Sequence, residues 1–243
     1  RMDHMPSRPI IFIASIAAAL SLAAPALAQT AQDDGIELET CELLVPGTPL
    51  SVVGQCGWLE VAENPEQPDG RQIRIHVARV PASGRVTEPD PLVFFAGGPG
   101  QAATESWPII AGALRKVNES RDILLVDQRG TGGSSRMDCP FDEDLVEGNY
   151  SVEVTRDAAE ACLQQLPHDP RFFTTSVAVT DLEAVRASLG YPKLNLYGIS
   201  YGSRVAQHFA RRYPEVTRTV ILDGVVPPQI SLGPEIATES QRA

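Results

Sequence analysis

Leu194-Asn195-Leu196-Tyr197-Gly198-Ile199-Ser200-Tyr201-Gly202 is the stretch that decides the fold. An apolar run, Leu194 to Tyr197, enters a G-x-S-x-G, and Tyr201 to Tyr213 leaves it with the composition of a helix. A strand that turns this tightly into a helix leaves no room for side chains beside the turn, hence glycine at 198 and 202. Such a turn strains the serine backbone and pushes its Oγ out at the top of a sheet. A serine hydroxyl is a weak nucleophile until a base takes its proton, so Ser200 needs partners elsewhere. The backbone N–H of Tyr201, first in the helix, points where an oxyanion would form. The competing reading is a plain strand-to-helix turn with a solvated serine. The buried strand before it and the helix after it favour a nucleophile.

Upstream, the same grammar repeats. Leu92-Val93-Phe94-Phe95 is a continuous apolar run ending at Gly97-Gly98-Pro99-Gly100, and Ile123-Leu124-Leu125-Val126 ends at Asp127-Gln128-Arg129-Gly130. Such runs suit strands buried on both faces. Helical stretches are expected at about 104–117, 152–165 and 176–189, and a further strand at Thr219–Leu222. Trp58–Ala62 and Ile73–Val80 read as extended segments joined antiparallel through the turn-rich Asn64–Gly70. Alternating strands and helices predict an α/β fold, a mostly parallel sheet with helices on both faces. Ligands bind at the carboxyl ends of such strands, where the glycine-rich stretches fall. Gly98 is the expected second oxyanion donor, because a glycine backbone can approach a ligand closely. A phosphate cradle is disfavoured there: no Lys-Ser/Thr follows, and Pro99 has no N–H.

Composition narrows the partners. With 20 Lys+Arg against 31 Asp+Glu the net charge is −11, the densest basic stretch is Arg211-Arg212, and aromatics are 6% of 243 residues. That excludes nucleic acid as an expected partner. Residues 1–28 read as a signal peptide: Arg8, an apolar run from Ile10 to Ala24, then Ala26-Leu27-Ala28 before a cleavage at Gln29. The run is shorter than the ~20 residues a membrane span needs, so a secreted or periplasmic protein without stable membrane insertion is expected. In that compartment Cys41, Cys56, Cys139 and Cys162 form disulfides by default. Three pairings are possible; Cys41–Cys56 and Cys139–Cys162 are preferred, each closing a short loop in a segment that reads as irregular. The spacing suits no metal site, and no cofactor is expected.

Phe94-Phe95-Ala96-Gly97-Gly98-Pro99-Gly100-Gln101, Asp127-Gln128-Arg129-Gly130-Thr131-Gly132-Gly133-Ser134 and Tyr197-Gly198-Ile199-Ser200-Tyr201-Gly202 occur in this order. Together they resemble the α/β-hydrolase peptidases of the prolyl aminopeptidase and tripeptidyl aminopeptidase group. Cys56-Gly57-Trp58-Leu59-Glu60-Val61 and Val220–Pro228 are similar to its secreted tripeptidyl-aminopeptidase-like branch. Ala96 departs from the histidine usual in prolyl aminopeptidases and favours that branch. The resemblance implies the α/β-hydrolase fold, Ser200 as nucleophile, Gly98 and Tyr201 as oxyanion donors, and a structural Asp127/Arg129 turn. It also implies a peptide substrate: an aminopeptidase releasing residues or short peptides from N-termini.

In this fold an acid and then a histidine follow the serine in chain order. Downstream of Ser200 only His208 occurs, about 12 Å along the helix from the turn, and it is not expected to reach the hydroxyl. His76 and His168 read as surface or packing residues, and Asp223 as a turn or cap residue. The expected organisation is signal peptide 1–28, N-terminal hydrolase core 29–229 and lid start 230–243, truncated before the last strands. The missing acid and base are expected beyond Ala243. Two further readings stand beside the peptidase: an esterase of the same fold, and a catalytically inactive truncated hydrolase.

Overall fold

Short, unbroken apolar runs make the centre of the sheet. In the computed structural model, which describes residues 35–139 and 151–230, β4 (Leu92–Phe95) and β5 (Ile123–Val126) bury all of their residues. Around them stand β1 (Glu39–Leu44), β2 (Ser51–Ala62), β3 (Gln72–Val80), β6 (Leu194–Ile199) and β7 (Thr217–Asp223). The order across the seven-stranded sheet is β1-β2-β3-β5-β4-β6-β7. β1, β2, β3 and β5 pair antiparallel in succession, whereas β5-β4-β6-β7 are parallel. Five of the seven strands therefore run the same way, β1 and β3 being reversed.

Side-chain alternation along these strands splits the core in two. Val93, Phe95, Leu124, Val126 and Leu196 pack with Val179, Leu182 and Val185 of α4 (Thr175–Ser188) and Val205 and Phe209 of α5 (Tyr201–Arg212). On the other face Leu92, Phe94, Ile123 and Leu125 pack with Ala103 and Trp107 of α1 (Ala103–Ile110). The two helix layers of the α/β-hydrolase fold are thus both present.

Several boundaries differ from the sequence reading for physical reasons. The expected helix over 104–117 is two pieces, α1 and a short α2 (Arg115–Asn118). Pro108 lies inside α1, where it removes a helical N–H, and Gly112 follows in the turn between them. The segment around Cys41 and Cys56, read as irregular, is instead the β1–β2 hairpin, with Cys41 opposite Gly54. β1 is an edge strand with mostly exposed side chains, so it lacks the apolar signature of the central strands. Both preferred disulfides form: Cys41–Cys56 staples the hairpin, and Cys139–Cys162 ties the loop after β5 to α3 (Val152–Gln165). α3 buries none of its residues. The signal segment 1–28 and the stretch from 231 onward lie outside the described residues. Among the described residues no helix is long and apolar enough to cross a membrane.

At the amino end of the parallel strands Asp90 gathers four of them. Its carboxylate accepts from Asn195 Nδ2 on β6 at 2.6 Å, from Arg121 Nε before β5 at 3.3 Å, and from Arg218 on β7. Burial pushes this carboxyl up, but the three donors outweigh it and hold it below the ordinary carboxylate value. A lowered folded-state value stabilises above the ordinary value near ~4 and loses that contribution as pH falls through the folded value. Asp90→Asn is accordingly expected to cost about 1–3 kcal/mol at pH 7, the loss of charge-assisted hydrogen bonds. Urea unfolding at pH 7 and at pH 3 should show the gap to wild type narrowing at the lower pH.

Candidate active site

The carboxyl ends of β4, β5, β6 and β7 share one rim, and the glycine-rich loops lie along it. At the end of β6, Ser200 has φ +53° and ψ −122°, a region that residues with a Cβ seldom occupy. The backbone around it is tied from both sides. Ser200 N–H donates to the Asp223 carbonyl at the end of β7 (2.8 Å), and the Ser200 carbonyl accepts from Ser203 N–H (2.9 Å) and Ser203 Oγ–H (2.6 Å). Ser203 Oγ in turn accepts Val226 N–H at 2.8 Å. The Ser200 side chain does not cap α5.

The flanking glycines are steric necessities. A Cβ on Gly202 would lie 2.2 Å from the Phe95 carbonyl oxygen, and one on Gly198 would lie 2.3 Å from the Gly202 carbonyl oxygen. The start of α5 is therefore pressed against the end of β4. A Cβ on Gly97 would stand 3.3 Å from Ser200 Cβ, so the loop after β4 closes directly over the serine. Gly98 follows with φ +99°, and a Cβ there would meet Gly100 N at 2.8 Å. Strain at Ser200 has a measurable consequence. Ser200→Gly is expected to stabilise the fold by about 1 kcal/mol, relief of ~1–3 kcal/mol of backbone strain offset by glycine's entropy. A thermal melt reads this as a rise in Tm.

What holds the loop after β4 in place is Asp127, fully buried at the end of β5. Its carboxylate accepts from Thr104 N–H (3.0 Å) and Thr104 Oγ–H (2.8 Å) in the first turn of α1, and from Gly133 N–H (3.1 Å). His76 Nδ1 on β3 lies 3.0 Å from the same carboxylate. Because α1 begins just after the 97–101 loop, this carboxylate anchors the segment that reaches Ser200. His76 was expected at the surface or in packing. It is largely buried, its ring 5.2 Å from the Trp58 ring, and the Arg74 guanidinium lies 4.9 Å from that same ring. The overlooked signal is strand alternation: His76 points away from the Ile73, Ile75 and Val77 face, into the side that Asp127 occupies.

Arg129, in the loop after β5, ties that loop to α4. Its guanidinium makes a bidentate pair with Asp181, both bonds 2.7 Å, and donates to the carbonyls of Glu63 (2.8 Å) and Phe172 (3.1 Å). Burial pushes the Asp181 carboxyl up, and the Arg129 guanidinium opposes it. Asp127 and Arg129 are thus structural, as the motif implied, and each has a definite partner set.

The remaining titratable candidates are engaged elsewhere. His208 on α5 is held below its ordinary value by burial and by Arg211 and Arg212, and its Nδ1 lies 3.5 Å from Arg211. His168 Nδ1 lies 3.3 Å from Glu63. Asp223 accepts from Tyr197 Oη at 3.1 Å, while its carbonyl serves Ser200. Among the described residues no three His, Cys, Asp or Glu side chains are grouped to hold a metal ion.

Fold and site together define an α/β scaffold that presents a serine on a strand–helix elbow. The chain belongs to the α/β-hydrolase fold family, whose model matches residues 90–241. It is 28% identical over 215 residues to the tripeptidyl aminopeptidase of Streptomyces lividans, covering 77% of this chain and 39% of that protein. It is also 28% identical over 223 residues to the serine protease Hip1 of Mycobacterium tuberculosis, covering 85% and 42%. Carboxylesterase B of Mycobacterium tuberculosis is 27% identical over 243 aligned positions, covering 87% and 46%. The chain spans about two-fifths of the length of these relatives.

Proposed function

We propose that this chain carries the nucleophile half of an exported serine hydrolase, an aminopeptidase that releases residues or short peptides from peptide N-termini. The observation that carries the proposal is Ser200: a non-glycine residue at φ +53°, on a turn whose two glycines are sterically required, with the Gly97 loop closed against it. A protein does not keep such strain for a solvated turn serine, and strain of this kind gathers at reacting groups. Ser200 Oγ attacks the scissile carbonyl carbon and its proton passes to a general base. The carbonyl oxygen becomes an oxyanion held by the N–H groups of Tyr201 and Gly98. Collapse breaks the C–N bond, the leaving amine takes the proton, and water then hydrolyses the acyl-serine. The acid and base are proposed to come from outside the described residues, since His76 is bound to Asp127 on the far strands of the sheet, His168 lies beside Glu63 and His208 stands further along α5 beside Arg211.

The relatives named a tripeptidyl aminopeptidase and a serine protease support the peptidase reading. A relative named a carboxylesterase supports the second reading, an esterase using the same elbow. A fluorophosphonate probe applied to the full-length gene product is expected to label Ser200, and Ser200→Ala to abolish the labelling. No labelling of correctly folded protein overturns the proposal in favour of an inactive scaffold. Faster turnover of a nitrophenyl ester than of tripeptidyl- and aminoacyl-naphthylamides decides for the esterase.

A further inference from the structure

The peptide that joins Ser200 to Tyr201 works at both ends. Its N–H is the proposed oxyanion donor, and its carbonyl oxygen points the opposite way, because a trans peptide is planar. Whatever holds that oxygen therefore aims the N–H. The oxygen accepts from Ser203 N–H at 2.9 Å and from Ser203 Oγ–H at 2.6 Å. We infer that Ser203 is a positioning residue: its hydroxyl grips the back of the oxyanion-hole peptide and couples it to the segment that leaves β7. The inference rests on the reading of Ser200 as nucleophile and of Tyr201 N–H as oxyanion donor.

Three observations carry it. The first is the direction of the hydroxyl proton. Val226 N–H donates to Ser203 Oγ at 2.8 Å, so towards Val226 the oxygen is an acceptor. A serine hydroxyl has a single proton, which is left to point at the Ser200 carbonyl. Serines in helices often bond a carbonyl three or four residues back, and that alone would be ordinary local bonding. Here the same hydroxyl also takes an N–H from 23 positions away, which local bonding does not need. The second is burial. Ser203 is fully buried, so solvent has no access to replace its hydroxyl. Removing that hydroxyl takes one of two donors from the Ser200 carbonyl and leaves Val226 N–H without its acceptor.

The third observation is that the far end is fixed as well. Ser200 N–H donates to the Asp223 carbonyl at 2.8 Å, and Gly224 follows at φ +59° before Val226 reaches Ser203. Gln207 Nε2 donates to the Val226 carbonyl at 3.2 Å, and Arg204 Nη2 to the carbonyls of Pro227 (3.2 Å) and Pro228 (2.8 Å). Both peptides that flank the strained Ser200 are thus held by one short segment, itself tied along the first turns of α5. Hydrogen bonds in such a chain reinforce one another. Val226 N–H serves the Ser203 hydroxyl, the hydroxyl serves the Ser200 carbonyl, and Tyr201 N–H serves the oxyanion. That last bond reaches full strength only as negative charge develops, so loosening the chain should slow the chemical step and leave initial binding alone.

The test uses fluorophosphonate labelling of the full-length gene product, well below the Tm of each variant. It separates the limiting rate at saturating probe from the concentration that gives half that rate. Ser203→Ala is expected to lower the limiting rate about tenfold, less than the hundredfold or more that losing an oxyanion donor outright costs. Its half-saturating concentration is expected to stay within about twofold of wild type, as for a group that acts only in the transition state. Asp90→Asn, which loses stability at the amino end of the parallel strands, is the control and should keep its limiting rate within about twofold. Where alanine yields no folded protein, Ser203→Cys, close in size but a weak donor, is expected to show the same loss. A limiting rate within about twofold of wild type in the Ser203 variant overturns the inference. So does a loss confined to the half-saturating concentration, or an equal loss in Asp90→Asn. Absence of labelling in the folded wild-type protein is the separate result that removes Ser200 as nucleophile, and the inference with it.

Discussion

Asp127→Ala is expected to destabilise the protein by about 3–5 kcal/mol and to collapse the reactivity of Ser200 with it. The carboxylate is fully buried and meets the Thr104 N–H and hydroxyl, the Gly133 N–H and the His76 ring at 2.8–3.1 Å. Alanine leaves these buried donors without an acceptor, at about 1–3 kcal/mol each before relaxation. The packing leaves little relief, because a Cβ on Gly132 would already lie 2.3 Å from the carboxylate. The expected total is therefore that of breaking a buried charged network rather than a surface bond. Asp127→Asn keeps one acceptor oxygen and should fall between alanine and wild type. Its diagnostic effect is on the site: the first turn of α1 loosens, and with it the 97–101 loop that touches Ser200. Fluorophosphonate labelling of the asparagine variant, measured well below its Tm, should be slower than wild type. Unfolding free energies within about 1 kcal/mol of wild type for Asp127→Ala would refute the anchoring role.

Arg129→Met should cost a similar amount, about 3–5 kcal/mol, for a different reason. It leaves the Asp181 carboxylate buried with no cation, at a position where burial already pushes that carboxyl up. Asp181→Leu placed in the same chain removes the stranded charge and should recover most of the loss. The sign of the pH effect follows from the raised folded-state value. In the single variant Asp181 binds a proton more readily folded than unfolded, so lowering the pH towards 5 should narrow the gap to wild type. A gap that stays constant with pH, together with a double variant no more stable than the single, would show that Arg129 acts through its carbonyl contacts instead. Denaturant titrations at two pH values on the two variants separate these cases.

The elbow was legible because its requirements are local. Gly198 and Gly202 stand two residues on either side of Ser200, and the clash each avoids lies against the end of β4 or the start of α5. The central strands were legible for a related reason: β4 and β5 are buried on both faces and so carry no polar residue at all. β1 was not, because an edge strand with mostly exposed side chains needs no apolar pattern, only a partner. α1 came out shorter than its pattern because Pro108 removes a helical N–H that hydropathy does not register.

By itself, then, the sequence determined the strand–helix alternation and the serine on its glycine-flanked turn, and it favoured, among three possible cysteine pairings, the one the structure forms. Each of these is written within a few dozen residues of chain. The tertiary structure alone decided that His76 meets Asp127 across 51 positions, and that Arg129 finds Asp181 across 52. It alone decided that Pro99 and Tyr201 border one cavity. Those choices depend on sheet order: β3 and β4 both lie beside β5, and β6 lies beside β4, so residues remote in sequence end on one rim. Local propensity carries no information about which strand will be whose neighbour.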